Sequence, residues 1–193
     1  MEGLFVRGVI EKLILMINKI AIGITTAGLI KSQTAFSLLN MLKGMDYEVL
    51  FKEGPNQPLN REVIAETAIT LNCSHLLFVD SDMVFGKDAL DRLLKRDKDI
   101  IGVHYNMRRH PLQTTVKGYK NEELYQCEGV ATGFMLINTK IFKDIPKPWF
   151  HVGLNGSEIE GHDYRFCRLA REAGYEVWCD NSVRTGHIGD FIY

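Results

Sequence analysis

The sequence predicts an α/β domain: a mostly parallel central sheet covered by helices, with a smaller antiparallel part in its second half. Three observations carry that expectation. Between Ile20 and Asp80, apolar strand-like runs alternate with stretches of helical periodicity in the order βαβαβ. The run from His75 to Val79 is apolar after its first residue, as a strand buried on both faces must be, and it stops at Asp80 and Asp82. Beyond Tyr105 the rhythm changes to short strands separated by glycine and charged turns.

In chain order, residues 4–17 are hydrophobic but interrupted by Arg7, Glu11 and Lys12, and no small-residue cleavage site follows. As a helix this stretch aligns Val6, Ile10, Leu13 and Ile17, so residues 1–18 are an amphipathic extension suited to rest on the domain, a partner or a membrane surface. Residues 19–193 form one domain, long enough to bury about two-thirds of its unfolded surface. Residues 20–24 are the first strand, and residues 25–28 a polar turn. Ala35, Leu38, Leu39 and Leu42 repeat at helical spacing, with Gly44 as the stop. Residues 47–51 give a second strand and residues 53–58 a loop. Ile64, Thr67, Ala68 and Leu71 mark a second helix with Asn60 as N-cap, and it leads into the Asp80 strand. A short helix at 88–96 and a strand at 99–105 follow; residues 113–116, 124–127 and 132–137 are the short strands of the antiparallel part. A last helix starts at Asp163, with Phe166, Ala170 and Ala173 turned inward.

Composition narrows the function. Lys plus Arg number 23 against 24 Asp plus Glu, so no global positive field points to nucleic acid. Cys73, Cys127, Cys167 and Cys179 form no Cys-x-x-Cys pair, which argues against a zinc knuckle or redox motif and for reduced thiols in a cytoplasmic protein. No run reaches the roughly 18 apolar residues of a transmembrane helix.

Chemistry concentrates where the buried strand ends. Two carboxylates this close repel by about 4 kcal/mol at about 4 Å, and the carboxyl edge of a parallel sheet is where ligands bind. A divalent cation relieves the repulsion, and hard oxygen ligands suit Mn²⁺ or Mg²⁺. A solvated turn would use the same residues. The Asp80-Ser81-Asp82 stretch, with Phe85, the 88–96 helix and the strand after it, resembles the metal-binding Asp-x-Asp of GT-A-type nucleotide-sugar glycosyltransferases, in particular small enzymes of glycosyltransferase family 2. A second anchor is the 161–175 segment, similar to that family's acidic motif opening a helix, followed by residues 177–180 and by Gly186-His187-Ile188-Gly189. The resemblance extends from about Lys19 to the end. It implies a GT-A fold, with a Rossmann-like, mostly parallel sheet, and a metal-dependent enzyme that moves a sugar from a UDP- or GDP-sugar to a hydroxyl acceptor.

The resemblance also distributes roles. Asp80 and Asp82 would hold Mn²⁺ or Mg²⁺, with His187 completing the shell, although a lone histidine is more often structural. Thr25 and Thr26 would lie beside the base or ribose, and Arg61, Asp80 and Ser81 would face the nucleotide. The first turn is neither a P-loop nor a dinucleotide-binding glycine motif. Arg108 or Arg109 would grip the diphosphate; the sequence does not say which points inward, and Arg108 is taken as the binder. Gly133 would let backbone approach the donor sugar. Trp149, Phe150 and His151 would offer a sugar-stacking loop or fold back as a plug. Asp163 would be the general base of an inverting transfer, though capping alone also favours an acid there. The family has an acid just before it; this chain has His162. Two rival readings remain: a sugar nucleotidyltransferase, whose glycine-rich loop with Arg and Lys residues 23–28 lack, and a non-catalytic sugar- or partner-binding module. The acceptor is unspecified, and a dimer or partner protein would help to select it.

Overall fold

The computed structural model describes residues 19–43 and 47–189; the extension at 1–18 and the helix stop at Gly44 lie outside the described residues. The first half is the expected alternation: β1 (Ile20–Thr26), α1 (Ser32–Met41), β2 (Glu48–Glu53), α2 (Gln57–Thr70) and β3 (His75–Asp80). After it come β4 (Met83–Phe85), α3 (Ala89–Lys95), β5 (Ile100–Val103), β6 (Val116–Lys117), β7 (Leu124–Cys127), β8 (Gly129–Val130) and β9 (Phe134–Asn138). The chain continues through α4 (Ile141–Asp144), the hairpin β10 (Gly153–Asn155) and β11 (Glu158–Glu160), α5 (His162–Glu172), β12 (Val177–Asp180) and β13 (Thr185–His187).

Seven strands form the central sheet in the order β2-β1-β3-β9-β5-β12-β7. β2, β1 and β3 are mutually parallel, as are β5 and β12; β9 runs antiparallel to both β3 and β5, and β7 antiparallel to β12. Five of the seven strands therefore point one way, and the smaller antiparallel part is present as three two-stranded sheets, β4 with β13, β6 with β8 and β10 with β11, while β9 and β7 are antiparallel members of the main sheet itself. Two-residue periodicity sorts the side chains to two cores. Ile20, Ile22, Ile24, Leu77 and Val79 pack with Leu38 and Met41 of α1 and Leu90 and Leu93 of α3. Ala21, Leu76 and Phe78 face the other way, onto Ile64, Ala65 and Ala68 of α2 and Phe166 and Ala170 of α5. Gly23 belongs to this second face, where an added Cβ would come within 2.6 Å of Ile64, so its missing side chain is what lets α2 close on β1.

Several local expectations change. Asn56, not Asn60, caps α2: its side chain accepts the Leu59 N–H at 3.2 Å, and Pro58 occupies the first turn. Asn60 is buried inside the helix, its amide donating to the Gly54 carbonyl at 2.9 Å. In α5 the inward side comprises Phe166, Cys167 and Ala170, whereas Ala173 is the exposed C-cap. Residues 113–116 contribute only an isolated bridge, Thr114 to Asn106, and the start of β6.

The aromatic loop is a plug. Trp149 and Phe150 are buried; Trp149 packs on Phe142 with centroids 4.7 Å apart, and Phe150 stacks on Phe166 at 4.9 Å and meets Phe78 edge-on at 5.2 Å. Their backbone N–H groups donate to the Glu62 carboxylate at 3.0 and 2.9 Å, which fastens the loop to α2. Neither ring is available as a platform for a sugar. All four cysteines are buried free thiols. No described helix is long and apolar enough to cross a membrane.

Candidate active site

Strand parity aims the first acid. Leu76 and Phe78 face α2, so Asp80 does too, and there it meets Arg61, whose Nη2 donates to Asp80 Oδ1 at 2.5 Å. Arg61 is only 4% exposed. Its Nη1 donates to His162 Nε2 at 2.9 Å; a guanidinium only donates, so Nε2 accepts and the ring proton sits on Nδ1. Burial, aided by the Arg61 charge, lowers the His162 pKa to about 4, so the ring is neutral at physiological pH. Thr25, paired with Asp80 in the β1–β3 register, adds a 3.4 Å hydroxyl contact to the same carboxylate oxygen.

The second acid lies beyond the turn. β4 pairs antiparallel with β13, setting His187 opposite Met83 and bringing its Nε2 to 3.3 Å from Asp82 Oδ1. His187 Nδ1 lies 3.0 Å from the Asn106 carbonyl, an acceptor, so Nδ1 carries a proton, and in the protonated ring Nε2–H is the donor that faces the carboxylate. Arg108 Nη1 reaches Asp82 Oδ2 at 2.8 Å. Burial works to raise the Asp82 pKa, but the His187 hydrogen bond and the charges of His187 and Arg108 outweigh it and hold it below the usual carboxylate range. The Asp82 hydrogen bond in turn raises the His187 pKa against the effect of burial. Of the two arginines, Arg108 turns to Asp82 and Arg109 pairs with Gln113.

Each acid thus has an arginine of its own, and the repulsion that a divalent cation was expected to relieve is already relieved by the chain. Among the described residues no group of three His, Cys, Asp or Glu side chains is arranged to hold a metal ion. What the structure does assemble is a pair, Asp82 and His187, with the histidine tautomer fixed by a backbone carbonyl. One carboxylate and one imidazole fit Mn²⁺ or Mg²⁺ where substrate phosphates and water complete the shell; Asp80, turned to Arg61, stands outside this pair.

Asp163 sits in the first turn of α5, where Gly161 is the N-cap. Asp163 Oδ1 accepts the Tyr164 N–H at 3.0 Å, so the carboxylate partly serves the helix end as well. Burial raises its pKa against the lowering effect of Arg61 and of backbone donors. Tyr105 joins the two acid clusters. It is buried, its ring meets His187 edge-on at 5.3 Å, and its hydroxyl accepts the Gly133 N–H at 2.9 Å. Burial, with Asp80 and Asp163 nearby, raises the phenol pKa well above its ordinary value, so the proton stays on.

The remaining expected residues take quieter places. Gly133 is buried beneath Tyr105, and its carbonyl accepts the Asp80 N–H at 3.0 Å. Thr26 closes its own turn, its hydroxyl donating to the Leu29 carbonyl at 2.8 Å and accepting from Gly28 N–H at 3.1 Å. Ser81 contributes its carbonyl to the Lys31 N–H at 2.9 Å. Tyr105 and Asn106 open the stretch whose arginines point to the site, and their own signal in the sequence is position alone, directly after a buried strand that ends at the same sheet edge. A cleft of about 780 Å³ is lined by residues that include Tyr105, Arg108, Arg109 and His187; it reaches Asp82 through its two partners, Arg108 and His187, and Asp80 and Asp163 are not among its lining residues.

No protein-family model matches the chain, and no curated protein matches it by sequence. Solved structures do. A197 from STIV aligns over 89% of this chain and 86% of its own at 17% identity, with a TM-score of 0.65. The inositol-1-phosphate CTP transferase from T. maritima aligns over 89% of both chains at 13% identity, with a TM-score of 0.54. TarS from S. aureus, solved with UDP-GlcNAc, aligns over 91% of this chain and 60% of its own at 13% identity, with a TM-score of 0.50. At these identities the likeness is one of fold: the chain has the GT-A-like mixed α/β fold found in nucleotidyl- and glycosyltransferases.

Proposed function

We propose that the chain is a glycosyltransferase that moves a sugar from a UDP- or GDP-sugar to a hydroxyl acceptor with inversion at the anomeric carbon. The observation that carries this reading is Asp163: a carboxylate whose proton affinity is raised by burial, at the start of a helix and close to the Asp80–Arg61–His162 chain. Such a group is suited to take the acceptor's hydroxyl proton as the oxygen attacks the anomeric carbon. The bond from that carbon to the diphosphate breaks, and its electron pair leaves on the nucleoside diphosphate. Thr25 and Arg61 are buried and hold Asp80, so they act by positioning that carboxylate and not by touching the nucleotide, while Arg108 supplies a guanidinium fork for phosphate oxygens. Neutral His162, with its proton on Nδ1, is a donor and not a base in this arrangement. A divalent cation bound at Asp82 and His187 would supply charge neutralisation for the departing diphosphate.

The fold supports a second reading, a nucleotidyltransferase, because the CTP transferase aligns over 89% of both chains. Against it, the 23–28 turn contains no Arg or Lys, and Thr26 spends its hydroxyl on that turn. Product identity separates the two. Incubation with Mn²⁺ and a panel of UDP- and GDP-sugars is expected to release nucleoside diphosphate slowly, with water as acceptor. Pyrophosphate release from a nucleoside triphosphate and a sugar phosphate would instead establish nucleotidyl transfer.

A further inference from the structure

The two arginine–carboxylate pairs are built differently. Arg61 is 4% exposed, divides its fork between Asp80 and His162, and has its Nε buried without a partner. Removing Asp80 from it would strand a buried charge, so this pair is fixed. Arg108 has a side chain 50% exposed, lines the 780 Å³ cleft, and among the described residues pairs with Asp82 alone. Asp82 is only 13% exposed, but the guanidinium approaches it from the open side, and its long stem lets it swing by rotamer change. Asp82 Oδ2 is the oxygen Arg108 covers, while Oδ1 faces His187.

We propose that Arg108 is an exchangeable occupant of Asp82: it holds the carboxylate until a diphosphate enters the cleft, then transfers to the phosphate oxygens and leaves Asp82 and His187 to a divalent cation. This rests on the reading of the site as one for a nucleotide diphosphate. A guanidinium and a divalent cation on one carboxylate repel each other, whereas a diphosphate carries enough negative charge to hold both. The bidentate fit of guanidinium to phosphate favours the transfer. The consequence is reciprocal coupling: nucleotide tightens cation binding, and cation tightens nucleotide binding by the same factor. Asp80 cannot serve this purpose, since its arginine is locked.

The test is Mn²⁺ binding, followed by the paramagnetic resonance of free Mn²⁺ with and without UDP or GDP, on the wild type and on Arg108→Met. Methionine keeps an unbranched apolar stem at an exposed position, and melting curves verify that the variant is folded. In the wild type, nucleotide is expected to tighten Mn²⁺ about tenfold or more, within the usual range for coupled sites. Arg108→Met should bind Mn²⁺ alone about tenfold tighter than the wild type and show a smaller, though still present, tightening by nucleotide, since the phosphates still ligate the cation. Equal Mn²⁺ affinity of the two nucleotide-free proteins would overturn the exchange while leaving the nucleotide site standing. If neither UDP nor GDP binds the wild type under any metal condition, the underlying reading fails and the exchange fails with it.

Discussion

Gly133 and Tyr105 claim the same volume. The Gly133 N–H donates to the Tyr105 hydroxyl at 2.9 Å, and a Cβ on Gly133 would lie 2.7 Å from Tyr105 Cζ and closer still to its oxygen. Glycine is therefore required at 133 by a neighbouring phenol, whatever ligand lies above it. Gly133→Ala should cost about 1–3 kcal/mol as the ring is forced off its seat against His187. Removing the oxygen as well should recover part of that loss. Urea unfolding of Gly133→Ala, Tyr105→Phe and the double variant measures the coupling, and strictly additive losses would show that the two residues do not compete for space.

Asp163→Asn distinguishes proton acceptor from helix-end ligand. Asparagine retains an oxygen for the Tyr164 N–H but cannot take the acceptor's proton. Transfer is expected to fall by about two orders of magnitude or more with donor affinity unchanged. Stability supplies an independent sign. A carboxyl whose folded pKa is raised contributes stability at acid pH that is lost as pH rises through the folded pKa, so the charged form of Asp163 weakens the fold. The variant should melt at or above the wild-type temperature. A lower melting temperature with activity lost only in proportion would leave Asp163 a structural residue.

His162 makes the opposite contribution on the acid side. Its ring has a pKa of about 4 in the folded protein against an ordinary 6.5, so the unfolded chain binds its proton first as pH falls. Stability is then lost between about pH 6.5 and 4, by up to about 3 kcal/mol. His162→Gln keeps an acceptor for Arg61 and has no proton to gain. Denaturant unfolding at pH 7 and pH 4.5 should therefore differ less in the variant than in the wild type. An unchanged difference would place the acid sensitivity elsewhere.

Phe150→Ala should behave as a core deletion and not as loss of a sugar contact. With Phe78, Phe142 and Phe166 around it, the cost is expected at about 3–5 kcal/mol. Donor affinity of the protein that remains folded should match the wild type. A variant with native stability and weakened donor binding would restore the platform reading.

Residues 149–151 show where sequence reasoning stops. A platform and a plug ask for the same aromatics, and the deciding contact is Glu62, 87 residues away in the chain from Trp149. Local features were more legible. The alternation of elements up to Asp80 follows from periodicity, and the helix start could have been set at Asn56 by Pro58, since proline in a first turn points to a cap just ahead of it. The direction of Asp80 was readable from the parity of Leu76 and Phe78. That Arg61 waits there, or that His187 pairs with Asp82 through β4 and β13, depends on packing between segments 19 and 105 residues apart, which no window along the chain contains. The position of β9 was hidden for the same reason: an apolar strand does not record which neighbours it will have.

That position has a consequence for how the chain must assemble. β9, the middle strand of seven, is made of residues 134–138, and among the described residues it alone joins the β2-β1-β3 block to the β5-β12-β7 block. A nascent chain that has emerged only to Gly133 carries β3 and β5 with apolar faces and open hydrogen-bonding edges toward each other's missing neighbour. Its sheet cannot knit locally, strand after strand, but waits for a non-local insertion that is slow by its topology. The first half is thus not a separable module: cut before Phe134, it would expose an edge that recruits other chains in place of β9.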